Sequence, residues 1–226
     1  GKRGRIITEK GLNEFNSARI IERVGYLSAK IDQMMYRMNF DLGAQSGTVV
    51  VNITIVSVRD AMACVDQITE VFKQNFAMGH LATVLGPGER LEHITVPEGM
   101  IGIGTVCSIT LNGVLLKYGI PTYSRFGGLL ELHNGLPVRF VEMINYDGTT
   151  IDPLEVFIRS GMTNYLGAIK DGNGLIGASY REMPEGSRDL VLSEQANCLL
   201  PEAAGPVAVA FNTLPGQAGG PAHVSR

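Results

Sequence analysis

The amino-acid sequence predicts an α/β chain of the α+β kind, with mixed sheets and helices packed on them. Runs rich in β-branched residues, clearest in Gly47–Val56 (GTVVVNITIV), alternate with amphipathic stretches of helical period. Hydrophobic residues make up 45% of the 226 positions and charged ones 18%, so most elements must bury a face. The 28 glycines show no collagen-like period and point to tight turns and close backbone approaches.

The elements follow in chain order. Arg5–Thr8 reads as a short strand leading into a helix start, with Thr8 as the N-cap. Ile20, Val24, Leu27, Ile31, Met34 and Met38 recur at spacings of 4, 3, 4, 3 and 4, the seam of an amphipathic helix that Gly25 weakens by ~1 kcal/mol. That seam fits either a helix lying on its own domain or a contact between two copies. After the Gly47–Val56 strand, Ser57 caps a helix with Asp60 three residues on and a stripe of Val58, Met62, Val65, Ile68 and Phe72. LATVLGPGE is a strand ending in a Gly-Pro-Gly turn. EGMIGIGTVCSITLNGVLLKYGIP reads as two strands joined at Asn112-Gly113, a favourable hairpin dipeptide.

YSRFGG (Tyr123 to Gly128) then reads as a turn, followed by a hairpin with Asn134-Gly135 at its tip. In TIDPLEVFIRSG a helix starts at the cap Asp152, with Pro153 at its first position and Glu155 completing a capping box, and closes at Gly161. YLGAIKDGNGLIGASYREMP reads as strand, turn, strand, and Ser187 caps a last helix. TVVVNITIV plus helix and GLIGASYREMP plus helix echo each other in layout, which suggests two lobes or a pseudo-repeat. AAGPVAVAFN adds a strand, and TLPGQAGGPAHVSR reads as a linker.

Several function classes are disfavoured. A net charge of −3 argues against a body that wraps nucleic acid; the local exception is Lys2, Arg3, Arg5 and Lys10 against Glu9. No apolar run reaches the ~18 residues of a membrane span, so no membrane partner is expected. Cys64, Cys107 and Cys198 are far apart and odd in number, which fits reduced thiols of a cytoplasmic protein; Cys64 and Cys198 read as small core residues. A chain opening GKRGR without an initiator methionine is expected to be a piece of a longer one. His80, His93, His133 and His223 have no His or Cys at ligand spacing, so no metal is expected. In GIGTVC, Cys107 stands where a dinucleotide fingerprint needs its third glycine, and no nucleotide cofactor is expected. Cys107 as a nucleophile served by His80 or His93, on a small oxo-acid, is the enzymatic alternative; a buried inert cysteine competes with it.

YSRFGG itself admits two readings. A small anion wants a guanidinium fork, backbone N–H groups and a hydroxyl, and Arg125, Gly127, Gly128 and Ser124 supply them within a few residues. The plainer reading is a turn whose arginine is solvated or pairs with Glu131 or Glu142.

Taken in order, several segments resemble known proteins. GRIITEKGLNEF resembles the last wing strand and exit helix of a winged-helix DNA-binding domain. RVGYLSAKIDQMMYRMNFD with GTVVVNITIV, GTVCSITLNGVLLKYGIPTYSRFGGLLEL and RFVEMINYDGTTIDPLEVFIRSGMT together resemble the regulatory domain of the NrpR family, archaeal nitrogen-regulation repressors. The likeness runs through residues 5–200, and residues 213–226 carry none. It implies a wing remnant at 1–18 and an effector-binding and dimerisation domain at 19–200, while composition makes 201–226 a terminal strand and a flexible Gly/Pro-rich linker. It further implies a non-enzymatic homodimer relieved by 2-oxoglutarate, with operator DNA met only through the rest of the winged helix. Ile20, Val24, Leu27, Ile31, Met34 and Met38 would then lie near the two-fold axis. The family gives no ligand residues one by one. Chemistry points to Arg125 with the Gly127 and Gly128 amides for one carboxylate, beside Tyr123 and Ser124. Thr105, Cys107, Ser108 and Thr110 would serve the keto group or the other end.

Overall fold

The computed structural model describes residues 25–192 except 93, together with 207–212 and 223–224. The wing-like segment 1–18, Ile20 and Val24, His93, Cys198 and the bulk of the Gly/Pro-rich tail lie outside the described residues. The order is α1 (Leu27–Arg37), β1 (Val51–Ser57), α2 (Val58–Lys73), β2 (Ala82–Leu85), β3 (Arg90–Leu91), β4 (Ile94–Thr95), β5 (Met100–Val106), α3 (Ile109–Lys117), β6 (Tyr123–His133) and β7 (Leu136–Asn145). A 3-10 turn at Tyr146–Gly148 follows, then α4 (Pro153–Arg159), α5 (Tyr165–Asp171), β8 (Gly174–Pro184), α6 (Arg188–Leu192), β9 (Val207–Asn212) and β10 (His223–Val224).

The strands form an antiparallel sheet β1-β5-β2, a five-stranded sheet β10-β9-β8-β6-β7 and the small β3-β4 hairpin. β8 and β9 run parallel while β6 pairs antiparallel with both β7 and β8, so the larger sheet is mixed, as expected. The two echoing segments do not share a sheet position. β1 is an edge of the small sheet, whereas β8 lies inside the large one.

Several local expectations hold for their stated reasons. The Ser57 hydroxyl accepts the Asp60 amide at 3.1 Å, capping α2. The Asp152 carboxylate accepts the Leu154 amide at 2.8 Å with Pro153 in the first turn of α4. Glu155, expected to complete a capping box, does not reach back to the Asp152 amide and instead bonds Arg159 one turn on, at 2.7 Å. Asn134 (φ 50°) and Gly135 (φ 75°) make the tight β6–β7 turn that an Asn-Gly pair favours.

Others are corrected. Asn112-Gly113 is no hairpin turn but the middle of α3. An apolar run of this length fits either element, and packing decides. A side chain at Gly113 would stand 2.4 Å from Met38 Cε, so the glycine lets α1 close on α3. Tyr165–Asp171 is a helix, not a strand. Asn164 accepts the Gly167 amide at 2.9 Å and Gly172, at φ 77°, closes the other end. YSRFGG is no turn either; it opens β6, the strand between β7 and β8. The α2 stripe is only partly buried: Val58, Met62 and Val65 are exposed, as is Cys64, which is therefore not a core residue. The helix leans on the domain through its C-terminal end, where Gln74 Nε2 donates to the Ile169 carbonyl of α5 at 2.8 Å.

The core has linked parts. Leu111 and Leu115 of α3 pack with Met183 and Val191, while Leu130, Leu132, Ile176, Ala178 and Ala168 fill the space between the large sheet and α5. The α1 seam turns inward: Ile31 and Met35 pack on Ile109 and Tyr146, with Leu27 and Met34 beside them, and Met38 packs on Val114. The four described residues of the seam, Leu27, Ile31, Met34 and Met38, serve the domain's own core, the first of its two readings. β7 is the outer strand of the large sheet, and its register against β6 slips twice, at Leu129/Leu130 and at Glu131/Leu132.

Candidate functional site

No residue of β8 is exposed on either face, so its one arginine has no outward side. Ile176 and Ala178 face one core cluster; Met183, on the other face with Ser179 and Arg181, faces another. Arg181 is 1% exposed, the largest side chain among those fully buried. Its Nε donates to Asn112 Oδ1 at 2.6 Å, its Nη2 to Ser108 Oγ at 2.8 Å and its Nη1 to Ser179 Oγ. Ser108 and Asn112 are four residues apart where α3 begins, so both reach the same side of that helix. Asn112 Nδ2 in turn donates to Ser124 Oγ of β6 at 3.0 Å, directly across the ladder from Arg181.

The charge of this guanidinium is not neutralised locally. All three acceptors are neutral, and among the described residues no carboxylate pairs with it. Burial pushes its pKa below the ordinary value, with Tyr146 and Cys107 opposing. Both of those neighbours keep their protons near neutrality: burial raises the Cys107 thiol and lifts Tyr146 to about 12. A guanidinium has five N–H groups, and three are used here. The arrangement is a dry, preformed cation with hydroxyls beside it and donors to spare, which suits a small carboxylate.

Among the residues predicted from sequence, the structure gathers Cys107, Ser108, Ser124 and Gly127 around this centre. Gly127 stands opposite Ser179 in the ladder, and a side chain there would lie 3.0 Å from Tyr146 Oη. The others serve elsewhere. Thr105 sits in β5 opposite Asn52 and Ala82. The Thr110 hydroxyl exchanges two bonds with the Val50 backbone, at 3.0 and 3.1 Å, tying α3 to the start of β1. Arg125 pairs with Glu182 at the surface and lies over the exposed Tyr123 ring. Gly128 is pressed against Phe140 and the Glu142 carbonyl of β7. With ladder partners on both sides, Gly127 and Gly128 form no anion-binding nest. The Cys107 thiol is touched by the Ile109 amide and the Asn52 side chain, and His80 is exposed in the loop after α2. The burial that raises the thiol works against a thiolate nucleophile. Among the described residues no group of three His, Cys, Asp or Glu could hold a metal ion, and no helix is long and apolar enough to cross a membrane.

Sequence reading missed Arg181, Asn112, Ser179 and Tyr146. The usable signal was a lone arginine within the strand-like run GLIGASYREMP, on the same face by alternation as Ser179.

Residues 24–208 match the family described as NrpR regulatory domains NRD1 and 2. The chain belongs to the NrpR regulatory-domain family. It is 35% identical to the global nitrogen regulator NrpRI of Methanosarcina mazei over 188 residues, 81% of this chain and 56% of that protein. Global nitrogen regulators NrpR of Methanococcus maripaludis and Methanocaldococcus jannaschii are 29% and 32% identical over 83% and 80% of this chain. The chain thus spans about half the length of the first relative and about a third of the other two, 32% and 31%. The crystal structure of a nitrogen repressor-like protein from Methanococcus jannaschii has the same fold, with a TM-score of 0.62 at 22% identity over 78% of this chain and 70% of that one.

In this NrpR-family domain the buried tyrosine sets an alkaline limit. Folded Tyr146 holds its proton to about 12, whereas the unfolded chain releases it near the ordinary 10.0. Its contribution is therefore whole below pH 10 and is lost as pH rises from 10 toward 12, ~2–3 kcal/mol in all. Urea unfolding across that range should show the decline, and Tyr146→Phe should flatten it; an unchanged slope would mean the phenol is hydrated in the folded state.

Proposed function

We propose that this chain is the effector-sensing and dimerisation domain of a nitrogen-regulation transcriptional repressor, and that its effector is 2-oxoglutarate or a similar small dicarboxylate. The names of the relatives support the regulatory role. The observation that carries the ligand is Arg181: a wholly buried guanidinium whose acceptors are all neutral. Holding such a charge dry costs several kcal/mol, and an anion that enters recovers much of it. One carboxylate takes the free guanidinium N–H groups, and the Ser108 or Ser179 hydroxyl meets the keto oxygen. Operator contact belongs to a winged helix outside this domain, and the effector acts on it through the pairing of two copies.

Calorimetric titration with 2-oxoglutarate, glutarate and succinate tests this reading, with light scattering on the same samples for the mass of two chains against one. Saturable heat without loss of the acid is expected. Absence of heat with all three acids would overturn the ligand, and consumption of the acid that stops with Cys107→Ala would replace the sensor by an enzyme.

A further inference from the structure

A second feature lies on the other side of Asn112. A pocket of about 110 Å3 opens between α1, α3, the 3-10 turn and the start of β6. Asn112, Ser124 and Thr122 are among its walls, as are Asp32 of α1 and Asp147 of the 3-10 turn. The Leu27 amide donates to the Thr149 carbonyl at 2.8 Å and holds α1 beside that turn.

Its charges are sorted by depth. Asn112 is 1% exposed and Ser124 half-buried, while Asp32 and Asp147 are exposed. At the deep end the donors are not exhausted. Asn112 Nδ2 carries two hydrogens and uses one on Ser124, whose hydroxyl accepts there and keeps its own hydrogen. Behind Asn112 lies the uncompensated charge of Arg181, 2.6 Å from Asn112 Oδ1. The interior end of the pocket is thus positive and donor-rich. The outer end carries two carboxylates that form no ion pair among the described residues. Arg125 also borders the pocket, but Glu182 already neutralises it.

A dianion would meet two like charges at this mouth, and a simple amine would meet an unfavourable field at its base. A molecule with a carboxylate at one end and an ammonium next to it fits both. We propose that this pocket binds the head group of a free α-amino acid, with its carboxylate inward on Asn112 and Ser124 and its ammonium outward toward Asp32 and Asp147. Its ligand contacts differ from those of the Arg181 dicarboxylate site, and the same guanidinium sets the field at its base. The two share Asn112 as a wall, so occupancy of one changes the field felt by the other.

The test is calorimetric titration of the whole chain with L-alanine, L-glutamine and L-glutamate, beside propionate and ethylamine, which each keep one of the two charges. At least one amino acid should bind saturably, and propionate and ethylamine should bind tenfold more weakly or not at all. The exposed-site double variant Asp32→Asn with Asp147→Asn should lose tenfold or more in amino-acid affinity while its 2-oxoglutarate titration stays as in the parent chain. No saturable binding by any of the three amino acids, binding equal to that of propionate, or unchanged affinity in the double variant would each overturn the proposal. A failure of 2-oxoglutarate to bind shows in its own titration and bears only on the dicarboxylate reading.

Discussion

Arg181→Met should weaken dicarboxylate binding thirtyfold or more and leave the domain folded. Two costs oppose each other in this variant. Removing the guanidinium relieves a dry charge with no carboxylate beside it, a change that can be neutral or stabilising by ~1–4 kcal/mol when a well-packed apolar side chain replaces it. It also strands the partners of that charge. The Ser108 and Ser179 hydroxyls, 3.5 Å apart, can turn toward each other, whereas Asn112 Oδ1 loses its donor at ~1–3 kcal/mol. The net effect on unfolding free energy should stay within ~2 kcal/mol. Loss of a desolvated, charge-assisted contact should instead weaken a dicarboxylate by ~2–5 kcal/mol, thirtyfold or more. Arg181→Lys should recover only part, since an ammonium cannot reproduce the planar fork that joins three acceptors at once. Urea unfolding beside calorimetry separates the two quantities. A variant that unfolds outright, yet binds normally once stabilised, would make Arg181 a structural residue.

Gly128→Val should destabilise the domain by ~3 kcal/mol or more, a large share of the ~5–15 kcal/mol that holds a domain together. A side chain at this position would begin 2.6 Å from the Glu142 carbonyl oxygen and 2.8 Å from the Phe140 ring, both on β7. The ring can turn, but the carbonyl is backbone and can yield only if β6 and β7 part. The loss therefore appears as a lower urea midpoint, and the fraction that remains folded should bind its ligand normally. Weakened binding at unchanged stability would instead return Gly128 to the anion-cradle role expected of YSRFGG.

That contrast shows where the sequence was legible. Some caps and turns were read correctly because the deciding chemistry is local. Asp152-Pro153 opens a helix and Asn134-Gly135 turns a hairpin because each needs nothing beyond its neighbours. The middle of the chain resisted because its apolar runs fit two periods, and contacts distant in sequence chose between them. Gly113 sits in a helix because Met38 must pass beside it, and Gly128 sits in a strand because β7 packs close. For the candidate site, the sequence pointed to the serine at the start of α3 and the one in YSRFGG, but not to the cation that bonds the first and reaches the second through Asn112. Arg181 is 73 residues from Ser108 and 69 from Asn112, so only the folded chain brings these groups together. Arg125 drew notice by having glycines and a hydroxyl beside it in sequence. The fold gives it a surface carboxylate instead.

The slipped register of β7 has a consequence for behaviour at high concentration. An open outer strand of ten residues, with Leu136, Val138 and Met143 exposed, would ordinarily invite another chain to add itself to the sheet. Here the two bulges bend the row of backbone donors and acceptors, and Pro137 removes one donor from it. A newcomer cannot align with the strand over its full length. Among the described residues nothing covers that edge, so the large sheet ends at β7 by geometry, and edge-to-edge growth into fibres is disfavoured.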